Sequence, residues 1–422
     1  MLTPELTIDK RSELLLAVAR DLHVNGQETS ETVRAIGDLG RVFALPATLF
    51  PRWGDLLLQT DDSAGKVRLS AVTAIPSGVA MNRVESIMRT IEDVCEGRAT
   101  PSAMDARLAL AEKQPPYSLL PFVLSCAVGA TALALIFGAV NDRAVALIAI
   151  SAAAGGILRR LLGRMGAGSI LQAFIAALFA GFIGALAVRW NMSSSLRLVA
   201  VCPSMILVPG PHILNGSLDC ISLRLSLGIA RLTFAALIVV AICAGLLIGL
   251  GLGGASLPIS EPGRDVALWI DTIAAGFAAA SYGVYFSMPF RDLAWPVAAG
   301  MLAHAARWWA MSALGAGPAD GAGVACIIVG MLLWPLAQRL RLPFAAIGFA
   351  SVVALIPGIF LFRMTSGLVA LQKGLPSATA LLLGQTISDG MTALLILLAM
   401  VLGLTLPRRL YNAIGFRIRG RS

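Results

Sequence analysis

From about residue 118 onward the chain is dominated by long uncharged apolar runs. They fall into two blocks, 118 to 252 and 265 to 406, each divisible into five segments. The expected segments are 119–140, 144–158, 167–188, 196–209 and 229–252, then 266–288, 292–312, 321–338, 343–362 and 378–406. Several reach the roughly 20 residues that a helix needs to cross a bilayer. The blocks also share landmarks. Gly166-Ala167-Gly168 and Gly321-Ala322-Gly323 open the third segments, 155 residues apart. Leu207-Val208-Pro209-Gly210 and Leu355-Ile356-Pro357-Gly358 mark the fourth, 148 apart. A charged corner, Asp142-Arg143 or Arg291-Asp292, follows each first segment. One five-segment pattern is thus written twice, and duplicating an odd number of crossings inverts the second copy, as in many secondary transporters.

The first 117 residues follow other periods. Leu14, Leu15, Leu16, Val18 and Leu22 fit one helix face that stops at Asn25-Gly26, and a second helix is expected over Ser30 to Ala44. Lys66 to Ala71 alternates as a half-buried strand does; with Leu56 to Leu58 and a turn-like Asp61 to Gly65 before it, it predicts a hairpin. Val84, Ile87, Met88, Ile91, Val94 and Cys95 recur at helical spacing, and Thr100-Pro101 opens a helix ending before Gln114-Pro115-Pro116. The expected organisation is a small α/β unit (1–117), two five-helix membrane modules (118–252 and 265–406) and a basic tail (407–422).

Mean hydropathy of +0.80 with 14% charged residues excludes an ordinary soluble domain. Residues 1–117 carry 13 Lys/Arg against 16 Asp/Glu and the remainder 20 against 8, so the basic excess belongs to the membrane part and gives no nucleic-acid footprint. The start lacks the apolar core of a secretory signal, which places the first 117 residues in the cytosol. Ten crossings then put the Arg159-Arg160-Arg164 corner, the Arg339-Arg341 corner and the basic tail on the cytosolic side, as positive-inside bias requires. With that topology the first Pro-Gly break faces the cytosol and the second faces outward. Six dispersed cysteines without a CxxC pair read as buried thiols, and His23, His212 and His304 are too scattered for a metal site. No GxxxxGK[ST], HExxH or GxSxG occurs, so the sequence offers no catalytic residue, no cofactor site and no ATP-driven transport.

Polar residues inside an apolar frame are the candidates for chemistry. Pro209-Gly210-Pro211-His212 breaks a helix and leaves backbone groups to be satisfied by protein, water or ligand. Asn215 and Asp219 stand four apart, sharing a face if the helix resumes, and Arg231 lies three turns further on. The same stretch also reads as a solvated loop. Asp389 lies about 16 Å along its span, near mid-membrane, where an ionised carboxylate costs about 2.5 to 3.5 kcal/mol unless paired or facing a cavity. Gln385, Thr386, Ser388 and Thr392 surround it. Asp271 reads as interfacial; Tyr282, Tyr285, His304 and Arg307 are weaker candidates.

Val208-Pro209-Gly210 followed by Asn215, Asp219, Gly228 and Arg231 resembles the signature of the bacterial threonine/serine exporter family. Gly26, Asn82 and the Pro116-Tyr117 corner resemble that family's cytosolic domain, and the second block with Ile356-Pro357-Gly358 is similar to its smaller companion module. The resemblance implies ten spans in the bacterial cytoplasmic membrane and proton-driven efflux of small hydroxy amino acids, so the expected partners are threonine or serine, protons and lipid. A zwitterion needs an anion for its ammonium, here Asp219 or Asp389. Its carboxylate needs donors, here Arg231, Asn215 and the amides at the breaks Pro209, Gly210, Pro357 and Gly358. Three rivals stay open: a dicarboxylate exporter using Arg231 with Arg224, a membrane-anchored regulatory or hydrolytic protein, and a passive channel.

Overall fold

A computed structural model describes residues 7–61, 67–76, 78–139, 141–190, 196–255, 266–340, 344–372 and 379–419. The turn expected at 62–65, Arg341 and Arg421 lie outside the described residues. The amino-terminal part runs α1 (Ile8–Val24), α2 (Thr29–Val42), β1 (Ala47–Pro51), β2 (Gly54–Asp61), β3 (Val67–Ala74), α3 (Met81–Cys95) and α4 (Met104–Glu112). Thr7 caps α1 by accepting from the Lys10 amide, and α1 stops where Gly26 turns to φ +89°. The strands form one antiparallel sheet in the order β1-β2-β3, with Leu49 opposite Leu58 and Leu57 opposite Ala71. Alternation along β2 turns Leu56 and Leu58 inward against Leu15, Leu22, Ile36 and Ile87. Strand β1 lies outside the expected elements.

The apolar part continues as α5 (Leu119–Ile136), α6 (Asp142–Arg164), α7 (Ser169–Arg189), α8 (Leu196–Met205), α9 (Gly210–Ile221), α10 (Leu225–Leu252), α11 (Leu268–Tyr285), α12 (Ala294–Leu314), α13 (Pro318–Leu340), α14 (Phe344–Val352), α15 (Gly358–Gln372) and α16 (Thr379–Arg419). Among the described residues six helices are long and apolar enough to cross a membrane, and eight spans result if α8 with α9 and α14 with α15 each count as one bent span. The bends are 56° and 53°. The expected ten falls short by α11 and α12, whose Asp271, Tyr282, Tyr285, His304, Arg307 and tryptophans dilute the apolar composition.

Both bends sit at the Pro-Gly pairs, and each is packed against the other block. A Cβ on Gly210 would run into the Phe349 ring of α14, and one on Gly358 would lie 3.0 Å from Met205 Cε of α8. Tyr282 of α11, buried between the blocks, donates from its hydroxyl to the Met205 carbonyl at 2.9 Å, so the last turn of α8 has a partner where the helix stops.

The structure revises several expectations. Arg159, Arg160 and Arg164 belong to α6, which outruns the expected 144–158 span, and they do not form a corner. The fourth segment of each block is broken in the middle: α8 is only 10 residues and the chain resumes at once as α9. Asp271 keeps its place near a span end, in the first turn of α11, and is buried there. Residues 407–419 extend α16 without a break.

The amino-terminal part bonds directly to the helical bundle. Met81 and Asn82 amides donate to the Phe286 and Ser287 carbonyls at 2.9 and 3.2 Å, and the Tyr117 hydroxyl donates to the Met288 carbonyl at 2.7 Å. Arg160 reaches the Tyr117 carbonyl at 2.8 Å, and Arg291 pairs with buried Glu85 at 2.5 Å. The end of α6, the corner after α11 and the α9–α10 corner described next therefore lie on one side of the bundle. Between α2, α3, α13 and α14 this interface leaves a cavity of about 360 Å³ lined by Glu31, Asp38, Glu92, Trp334 and Phe344.

Candidate functional site

Small residues let α9 and α10 close tightly. A Cβ on Gly228 would approach the Gly216 carbonyl to 2.7 Å, so the two backbones touch at this crossing. Asp219 stands one turn beyond Gly216 and Arg231 one turn beyond Gly228. Both side chains are consequently driven inward, at 2% and 1% exposure, with Arg231 Nε 3.5 Å from Asp219 Oδ2. Two charges taken out of water hold only while each neutralises the other and finds further donors or acceptors.

Those further partners come from the amino-terminal part. The Thr29 hydroxyl donates to Asp219 Oδ2 at 3.1 Å, Asn215 Nδ2 donates to the Gly26 carbonyl at 3.0 Å, and Arg224 Nη1 donates to Ser30 Oγ at 3.0 Å. His23 Nδ1 lies 3.3 Å from Arg231 Nη2. Burial, and then the charge of Arg231, push the His23 imidazole down to about 3. It is therefore neutral at physiological pH and accepts from the guanidinium. Trp53, in the turn between β1 and β2, adds an apolar contact by packing on Phe234 of α10 at 5.2 Å, and His212 meets the same ring edge-on.

The three residues expected around the first break, Asn215, Asp219 and Arg231, are thus brought together. Their hydrogen-bonding capacity is not exhausted. Arg231 Nε, Asn215 Oδ1 and His23 Nε2 are buried without a hydrogen-bond partner. His23, Thr29 and Ser30 were not foreseen, because their contacts cross about 190 to 208 positions of sequence and no local period encodes them.

Asp389 is not part of this cluster. It faces Arg363 of α15 across 3.1 Å, with the acid 7% and the base 25% exposed at the side chain. Arg363 escaped the sequence reading, although it stands 148 residues after Asn215, the same offset that relates Gly210 to Gly358. Among the described residues each block therefore carries an Arg–Asp pair with a buried acid, fully buried in the first and half-buried at the base in the second, between the helix after its break and its last long helix. The order of charge is reversed: acid then base in the first, base then acid in the second. A further buried pair joins Asp271 Oδ2 to His304 Nδ1 at 3.1 Å. No group of His, Cys, Asp and Glu among the described residues has the arrangement of a metal site.

A helical membrane bundle with two interrupted spans and charges buried beside the interruptions is the architecture of a transport protein. Residues 13–253 match a family model described as a threonine/serine exporter, and residues 271–410 match a second, described as Threonine/Serine exporter, ThrE. The chain belongs to the threonine/serine exporter family, with both modules fused in sequence order, and is a multi-pass membrane exporter. No curated protein and no solved structure matches it.

Proposed function

We propose that this chain is a secondary active exporter of threonine, serine or a closely related hydroxy amino acid, exchanging substrate for protons by alternating access. In this reading the chain crosses the bacterial cytoplasmic membrane ten times as two inverted five-helix modules, 118–252 and 265–406, with residues 1–117 and the tail from 407 in the cytosol. The observation that carries it is the buried Asp219–Arg231 pair beside a broken span, capped by the amino-terminal part.

Asn215, Asp219 and Arg231 then line the cytosolic entrance. The cavity against α13 and α14, lined by Glu31, Asp38, Glu92 and Glu96 with Arg34, keeps an acidic excess and serves as a vestibule that favours the ammonium end of a zwitterion. Substrate ammonium competes with Arg231 for Asp219, and parting that pair releases the contacts to His23 and Thr29. The Arg363–Asp389 pair takes the same role on the opposite side, so each half opens by separating one ion pair. A zwitterion carries no net charge, so coupling requires a carboxylate that holds either substrate or a proton. In this reading Asp219 and Asp389 take that role. The test is proton-dependent threonine efflux from vesicles carrying Asp219→Asn or Asp389→Asn; normal transport by both variants discards the assignment.

One observation favours a dicarboxylate as second reading. Arg224 stands 3.9 Å from Asp219, so two guanidiniums converge where two carboxylates would bind. Competition of succinate against threonine separates the two.

A further inference from the structure

Among the described residues, three guanidiniums held in the bundle have acidic neighbours, whereas Arg160 donates to the Tyr117 carbonyl instead and Arg159 has neither. Arg231 faces Asp219, Arg363 faces Asp389, and Arg307 lies in the field of Asp271. Arg159 has no carboxylate partner among the described residues, and its Nε and Nη1 are buried without any hydrogen-bond partner. Arg159 as a whole is half-buried, yet guanidinium nitrogens shut off from water without an anion are costly for a fold to keep. Arg159 is five residues from the end of α6 and yet does not run out to the surface: its guanidinium lies 5.1 Å over the Tyr285 ring.

What the guanidinium faces has the features of a binding site. Arg159 lines a cavity of about 10 Å³ together with Ser151, Gly155, Pro203 and Leu207. Ser151 is 2% exposed and its hydroxyl also has no partner. Pro203, lacking an amide proton, leaves the α8 backbone one hydrogen bond short four residues earlier, and Leu207 belongs to the break itself. Gly155 is buried, but a Cβ built on it would meet nothing within 4 Å, so the space belongs to the cavity rather than to packing. The planar donor fork of an arginine matches a carboxylate in a bidentate pair, which a solitary hydroxyl can supplement.

We propose that Arg159, with Ser151, is the residue that receives the carboxylate of the transported molecule, in a cavity that opens when the 206–209 break shifts. The assignment rests on the exporter reading. It completes that reading because Arg231 is already neutralised by Asp219, leaving Arg159 as the positive charge on offer beneath the first break. At about 10 Å³ the cavity has room for one water at most, so the carboxylate reaches Arg159 only as the break moves, which couples binding to the conformational cycle.

The experiment is calorimetric binding to the full chain in nanodiscs, using L-threonine, L-threoninamide and succinate, with thermal melting as the check on folding. The wild type is expected to bind a free carboxylate at least ten-fold more tightly than its amide. Arg159→Gln should bring that ratio near one, Arg159→Lys should restore part of it, and Gly155→Val should weaken carboxylate binding by filling the space while leaving the charge. A wild-type ratio retained in a folded Arg159→Gln overturns the proposal. So does a wild type that binds none of the three probes, or binds threoninamide as well as threonine. Binding of succinate but not threonine, lost in Arg159→Gln, keeps Arg159 and sinks only the amino-acid substrate.

Discussion

His23 has the most sharply defined electrostatic position outside the membrane helices. Its burial against Arg231 lowers its proton affinity in the folded protein far below the ordinary value of about 6.5. A depressed pKa means that the unfolded or undocked chain binds the proton more readily, so this group's contribution is complete above about pH 6.5 and is lost progressively as pH falls toward 3. Thermal melting of the wild type should therefore worsen on acidification, and His23→Gln should flatten that slope over the same interval. An unchanged slope would show that His23 does not report on the docked state. At this scale the sequence disclosed the members of the site but not their company. Asn215 and Asp219 were legible from their spacing on one helix face, and Asp389 from an acid in an apolar run. His23, Thr29 and Arg363 were not, since a residue facing a partner far along the chain has no local signature. Arg159 was misplaced because a run of arginines near a helix end reads as a boundary by charge density alone.

At the scale of elements, the α9–α10 crossing carries the Asp219–Arg231 geometry, and glycine carries the crossing. Gly228→Ala forces a methyl toward the Gly216 carbonyl and the Cys220 amide. The expected cost is about 1 to 3 kcal/mol, the usual range for overpacking. It should appear in the melting temperature together with reduced efflux, because widening the crossing pulls the ion pair apart. Gly251→Ala in the same helix, with nothing within 4 Å of the added carbon, is the control and should be neutral or stabilising by up to about 1 kcal/mol. The breaks themselves were plain in the sequence, since proline followed by glycine forbids a continuous helix. That each break would be packed under the opposite block, Gly210 beneath Phe349 and Gly358 beside Met205, was not; glycine marks a close approach without saying to what. β1 stayed hidden because it is short, follows Pro46 and ends on Pro51.

For the whole molecule, the amino-terminal part is bound into the bundle at the α9–α10 corner, at the end of α6 and after α11. If transport requires the Asp219–Arg231 pair to part, this docking must loosen in each cycle. Cysteines replacing Trp53 and Phe234, whose ring centroids sit 5.2 Å apart, should be bridged by a short bifunctional methanethiosulfonate, which spans the room the two rings leave, in a background lacking the native cysteines. Bridging is then expected to arrest efflux and reductant to restore it. Efflux that continues in fully cross-linked protein would make the docked part a fixed scaffold. The block structure and the α/β character of the first 117 residues could be read from hydropathy and period, whereas their mutual docking is a property of surfaces and needed coordinates.

The buried acid–base pairs are settled within their own blocks: Asp219 with Arg231 in the first, Asp271 with His304 and Asp389 with Arg363 in the second. Among the described residues neither block borrows a counter-ion from the other. Severing the polypeptide between them would leave these acid–base pairs whole but take from Arg159 the Tyr285 ring that covers it. Fusion into one chain then secures equal numbers of the two halves and keeps that one cation sheltered.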